Sequence, residues 1–189
     1  TMGTLEVVTS GHGLAQKRRM QVFGSMRFGA DDVHRHEAVA LKAELAKHDV
    51  DLFIADPNAG GDITLEVFDA MSKCEAFIAF ATSTYAEDTG NPASTYKELN
   101  YWQTRMDKIH PNRLIPIKML RDGESFDVSR KGVRAADVLF HSNVAFVTWP
   151  CGSTRKPDGS TTVPKKLMAK ILQVVLADQV EAEMSSMSC

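Results

Sequence analysis

The residues of this chain best suited to chemistry fall in two short segments. One holds Ser25, Arg27 and Phe28. The other holds Thr82, Ser83, Thr84, Tyr85, Glu87 and Asp88, with Glu98 ten residues after Asp88. The guanidinium of Arg27 is a planar fork that grips phosphate or carboxylate oxygens in pairs. The hydroxyls both donate and accept. Phe28, Tyr85 and Trp102 offer faces on which a ring can stack. Glu98 is a carboxylate that can stabilise positive charge developing beside it. Each residue also has a plainer reading. A helix Glu is mostly a solvated charge. Arg27 suits a loop ion pair as well as a phosphate. Trp102 falls on the stripe Leu99, Trp102, Met106 and Ile109, which reads as core.

These residues have meaning only if the fold brings them together. Short apolar runs at Met20–Ser25, Leu52–Ala55, Ala76–Ala81, Leu114–Met119 and Val144–Trp149 read as strands. Ala76–Ala81 is apolar throughout, the pattern of a strand covered on both faces. Pro116 counts against its run and points to an edge or irregular strand. Between the runs lie helical patterns. One covers Val33–His48, with Ala38, Leu41 and Leu45 inward. A second follows Asp62 or Thr64, with Leu65, Phe68 and Met71 on one face. A third opens near Pro92. A short one covers Val133–Leu139. The last follows Pro164, with Leu167, Ile171, Val174 and Val175 inward. Five strand–helix alternations predict an α/β domain with a parallel sheet between two helical layers. For five strands the expected order is 2-1-3-4-5, the flavodoxin-like three-layer arrangement. The domain is placed at residues 20–178, after an N-terminal extension over 1–19 and before a tail over 179–189.

In that order a ligand site is expected outside the carboxyl ends of the first and third strands, where the chain direction of winding reverses. The two chemistry-bearing segments begin there. A receiver domain would need an Asp ending the third strand, but Ala81-Thr82 stands in that place. A flavin phosphate cradle would need a hydroxyl- and Gly-rich turn, and Gly24-Ser25-Met26-Arg27-Phe28-Gly29 is a poor one.

Composition narrows the classes further. The chain has 189 residues, 43% apolar and 24% charged, with a formal net charge of -2. That balance gives no general attraction to nucleic acid or anionic lipid. No apolar run is long enough to cross a bilayer, and Thr1–Arg19 lacks the apolar stretch of a secretory leader. Cys74, Cys151 and Cys189 make neither a disulfide framework nor a zinc pattern, so a cytoplasmic setting is expected. His34 and His36 lie two apart, on different helix faces, so no metal is expected.

In order and spacing these segments resemble the TIR (Toll/interleukin-1 receptor) domain family. Val22-Phe23-Gly24-Ser25-Met26-Arg27 is similar to its opening motif. Pro57-Asn58-Ala59-Gly60-Gly61-Asp62 sits where the family carries its BB loop. Phe68–Ile78 resembles the family's second helix running into its third strand. Ser83-Thr84-Tyr85 followed by Tyr96-Lys97-Glu98-Leu99 resembles the stretch leading to the family's Glu-Leu pair, and Phe146–Trp149 its late aromatic box. The likeness spans roughly Met20 to Asp178. Met26 stands where an aromatic is usual, Phe28 where many members have a second basic residue, and Ser94–Tyr96 where a Trp or Cys often precedes the Glu. The segment Arg121–Asn143 is longer than expected.

The resemblance implies either an enzyme that cleaves NAD+ at its nicotinamide bond or a non-catalytic assembly module. For the enzyme it implies Glu98 as the catalytic carboxylate. Ser25, Arg27, Phe28, Ser83 and Tyr85 would bind NAD+, which is the substrate, with no separate cofactor. Pro57, Asn58, Gly60, Gly61 and Asp62 would serve self-association with other TIR domains. The products would be nicotinamide and ADP-ribose or a cyclic isomer, made in signalling or defence. A third reading is a nucleoside deoxyribosyltransferase-like enzyme, which shares the fold and a carboxylate at an N-glycosidic bond.

Overall fold

The computed structural model describes residues 19–27, 33–55, 63–141 and 146–177. Along the chain run β1 (Met20–Met26), α1 (Val33–Ala46), β2 (Val50–Ile54), α2 (Ile63–Lys73) and β3 (Ala76–Ala81). Then follow α3 (Thr95–Tyr101), β4 (Leu114–Lys118), α4 (Arg134–His141), β5 (Val147–Thr148) and α5 (Lys165–Val175). All strand pairs are parallel, and the sheet order is β2-β1-β3-β4-β5. This is the flavodoxin-like α/β arrangement expected from the alternation of patterns.

Strand side chains alternate between two cores. Val22, Met26, Ile78, Phe80, Ile115 and Ile117 join Leu41 and Leu45 of α1 and Leu167, Ile171 and Val175 of α5. Phe23, Phe77 and Ala79 join Val67 and Met71 of α2, Leu99 of α3 and Leu139 of α4. The sheet is therefore the middle of three layers. All six residues of β3 are buried, as a strand covered on both faces requires. No described helix is long and apolar enough to cross a membrane.

Three local expectations are corrected. Pro116 does not lie at the sheet edge, because β4 pairs with both β3 and β5. Arg113 and Met119 turn their backbone bonds toward β3, so alternate residues such as Pro116 face the β5 side. There β5 pairs only with Ile117 and Lys118, so the missing N–H of Pro116 breaks none of the β4–β5 pairs. The stripe ending at Ile109 also fails. After α3 the helix widens into a π turn, Trp102–Met106, in which Asp107 N–H donates to the Trp102 carbonyl. The extra residue per turn carries Ile109 out to 65% exposure. In α2 the inward face is Val67 and Met71, and Leu65 is 70% exposed.

Arg113 ties the start of β4 to the end of α5. It is buried, and its Nη1 donates to the Val175 carbonyl at 2.9 Å. A cation at that helix end also complements the helix dipole. Arg113→Met is expected to lower the unfolding free energy by about 1–3 kcal/mol in a denaturant titration. An unchanged midpoint would mean the bond contributes nothing.

Candidate functional site

The end of β1 places the first group. Phe23 faces the α2/α3 side, so strand alternation sends Ser25 to that side too. Gly24 lets β1 lie close to its neighbours: a Cβ there would be 3.1 Å from the Phe53 carbonyl and 3.3 Å from Phe80. Ser25 is fully buried. Its hydroxyl donates to Glu98 Oε2 at 2.5 Å, and the Tyr85 hydroxyl donates to Ser25 Oγ at 2.8 Å. Three elements thus meet in one line of hydrogen bonds: the turn after β3, the end of β1, and α3.

The turn that carries Tyr85 is held from two sides. Tyr85 N–H returns to the Thr82 carbonyl and Glu87 N–H to the Thr84 carbonyl. Ala86 adopts φ 62°, a conformation uncommon without glycine, and its N–H donates to Thr95 Oγ1 at 3.0 Å. The second support comes from the chain between β4 and α4. Asp127 N–H donates to the Ser83 carbonyl at 2.8 Å, and Asp88 N–H to the Lys131 carbonyl at 2.7 Å. Gly132, at φ +93°, packs so closely that a Cβ would collide with the Ala86 carbonyl.

Glu98 sits in the first turns of α3, where its N–H donates to the Ser94 carbonyl. It is 5% exposed, which removes the reading as a solvated surface charge. Burial pushes its pKa from the ordinary 4.5 up to about 8, and the Ser25 hydrogen bond opposes that rise. Tyr85, fully buried, is driven well above its ordinary phenol value and keeps its proton. Tyr85 therefore donates to Ser25 as a neutral hydroxyl, and Ser25 in turn donates to Glu98.

Glu98 lines a cavity of about 250 Å³. The wall includes Met26 and Arg27 from the end of β1, Ala55 after β2, and Glu87, Thr89, Asn91 and Ser94 from the segment before α3. It lies at the carboxyl ends of β1 and β3, the place that the strand order selects. Ser94 is buried there, and its Oγ has no hydrogen-bond partner among the described residues. Arg27 Nη1 donates to the Thr84 carbonyl at 3.1 Å and forms an ion pair with Glu87 Oε2. Arg130 holds the same carboxylate through both oxygens, at 3.1 Å each. Burial, and then the nearby charge of Arg130, hold the Arg27 guanidinium below its ordinary pKa.

The structure brings the residues expected from sequence together only in part. Glu98 and Arg27 share the cavity wall. Ser25 and Tyr85 stand behind Glu98, so the Tyr85 ring is closed to a stacking ligand. Ser83 contributes its carbonyl to the turn support. Trp102 is fully buried, with its ring centroid 5.3 Å from that of Phe77, and belongs to the core. His34 is buried and its Nε2 contacts the Arg27 carbonyl, while no cluster of metal-ligating groups occurs among the described residues. Phe28 and the loop residues Pro57, Asn58, Gly60, Gly61 and Asp62 lie outside the described residues. Ser94, Asp127, Arg130 and Gly132 were missed. Their only signal was the unexpected length of Arg121–Asn143 and the Ser where an aromatic is usual.

Chemically, the cavity offers one buried carboxyl of raised pKa, one guanidinium paired with Glu87, and the Ser94 hydroxyl, unpaired among the described residues. That set suits a ligand with a cationic or hydroxyl-bearing end and an anionic end. Comparison of the chain with protein-family profiles, curated proteins and solved structures finds no match.

Proposed function

We propose that this chain is a TIR-type NAD+ glycohydrolase that releases nicotinamide, with Glu98 as its catalytic carboxylate. The observation that carries the reading is the buried Glu98 carboxyl, hydrogen-bonded by Ser25 at the wall of the cavity outside β1 and β3. Nicotinamide in NAD+ is a cationic pyridinium and departs as a neutral molecule. No general acid is required, so one of the two carboxylates of an ordinary glycosidase can be dispensed with. The remaining task is to stabilise an oxocarbenium-like ribose and hold its hydroxyls. A single ionised carboxylate does both.

The raised pKa is consistent with that role. In the free protein the carboxyl holds a proton through much of the neutral range. An arriving pyridinium cation favours the ionised form. The substrate thereby helps to generate the charge that its own cleavage uses. ADP-ribose and a cyclic isomer share the same first step. Cytoplasmic action and self-association through the segment holding Pro57, Asn58, Gly60, Gly61 and Asp62 complete the reading.

The test is nicotinamide release by pure protein at high concentration, because the enzymes this chain resembles act as assemblies. Release that Glu98→Ala abolishes supports the reading. No release by wild type, or base exchange on a deoxynucleoside without NAD+ cleavage, overturns it.

A pH prediction follows from the same carboxyl. The ionised form is the active one, so kcat/KM is expected to rise with pH, pass its midpoint near 8 and level off above that. Ser25 lowers the Glu98 pKa by its hydrogen bond, so Ser25→Ala is expected to move this rise to higher pH. Tyr85→Phe, one bond further away, is expected to move it in the same direction by less. A profile that shifts to lower pH in Ser25→Ala would contradict the assignment.

A further inference from the structure

Resting on the reading of the cavity as a nucleotide site, we infer that Glu87 is a built-in competitor for the ligand's phosphate, and that Arg130 sets how readily it yields. Arg27 is the cation on the cavity wall, yet its Nη1 is already paired with Glu87. An anionic group can use Arg27 fully only by displacing that carboxylate. Displacement of a carboxylate into a partly buried position is normally costly. Here it is not, because Arg130 Nη1 holds both Glu87 oxygens at 3.1 Å and continues to neutralise it. Arg130 is fixed in turn by Asp127, which accepts from its Nε at 2.9 Å.

Two guanidiniums share Glu87, and the charged form of Arg27 is disfavoured by burial and then by the charge of Arg130. A phosphate entering at Arg27 gives each guanidinium its own anion. The exchange therefore needs no net change in the charge of the protein, only a swap of partner at Arg27. It also gives selectivity. A ligand without phosphate leaves the Arg27–Glu87 pair intact and gains nothing from the guanidinium.

The two partners of Glu87 predict effects of opposite sign. Glu87→Gln removes the competitor and frees Arg27. Arg130→Gln removes the residue that steadies Glu87 elsewhere and strengthens its hold on Arg27. The experiment is calorimetric titration of the full chain with ADP and with adenosine, which share the base and ribose but not the phosphates. The ratio of ADP to adenosine affinity is expected to rise about fivefold in Glu87→Gln and to fall about fivefold in Arg130→Gln. Ratios that move the same way in both variants, as loosening of the 83–88 turn would cause, overturn the inference. So does a ratio unmoved by either, or the absence of measurable ADP binding to wild type. Binding is read without turnover. Opposed ratios in a protein that never releases nicotinamide would leave the exchange standing and remove the glycohydrolase reading alone.

Discussion

Glu98→Gln is expected to reduce nicotinamide release by about a thousandfold or more and, increasingly from about pH 5 to about pH 8, to make the protein more stable than wild type. Both effects have one cause. The carboxyl is buried, with the Ser25 hydroxyl as its hydrogen-bond partner among the described residues, and burial disfavours its ionised form. The sign follows from proton binding. With a folded pKa of about 8 against an ordinary 4.5, the folded state binds more protons than the unfolded state between those values. The stabilising contribution of the neutral carboxyl is complete below 4.5 and is lost as pH rises through about 8. Gln resembles that neutral form at every pH. The two proteins are therefore expected to melt alike near about pH 4. By about pH 9 the variant is expected to be ahead by a few kcal/mol, a Tm gain on the order of 5–10 °C. A structural Glu would show the reverse, with Gln the weaker protein at high pH. Stability gained by removing a group that activity requires is the usual mark of a functional site.

The second large effect is expected far from Glu98 in sequence. Gly132→Ala should cost about 2–4 kcal/mol and reduce nicotinamide release at least about tenfold. Gly132 has φ +93°, and an added Cβ would strike the Ala86 carbonyl and come within 2.9 Å of the Asp88 nitrogen. Both obstacles are backbone, so neither can rotate aside. The turn must move, and it carries Tyr85 to Ser25 and Glu87 to Arg27. Gly159→Ala separates this from simple backbone strain. Gly159 has a similar φ of +83° but open space around it, in a turn that does not line the cavity. It is expected to cost only about 1 kcal/mol and to leave nicotinamide release at the wild-type level. Thermal melts and the release assay on both variants check the pair. Equal behaviour of the two would mean that Gly132 does not brace the turn.

The layers of the fold were legible because burial leaves a period in the sequence. Ala76–Ala81 reads as a strand covered twice, and Leu41/Leu45 and Leu167/Ile171 read as inward faces. The strand order then located the crevice, and with it Glu98 and Arg27. What was not legible depended on departures from regular geometry. Ile109 fails its stripe because a π turn intervenes, and no residue pattern announces that turn. Pro116 was misplaced because the length of β5, not the proline, decides which backbone groups need partners. Tyr85 reads in sequence as a ring for ligand stacking, yet its ring is buried and its hydroxyl serves Ser25. A side chain's direction at the end of a strand cannot be read from a short polar run. The brace formed by Asp127, Arg130 and Gly132 was hidden for a related reason. It is held by backbone hydrogen bonds and ion pairs, which leave no apolar periodicity.

The central claim is that one buried carboxylate cleaves the nicotinamide bond. Its most direct test is nicotinamide release from NAD+ by wild type and Glu98→Gln, side by side at high protein concentration and about pH 8. Steady release is expected from wild type, and none above background from a Glu98→Gln protein that is folded and at least as heat-stable. Equal release by the two proteins, or none by wild type, would contradict it.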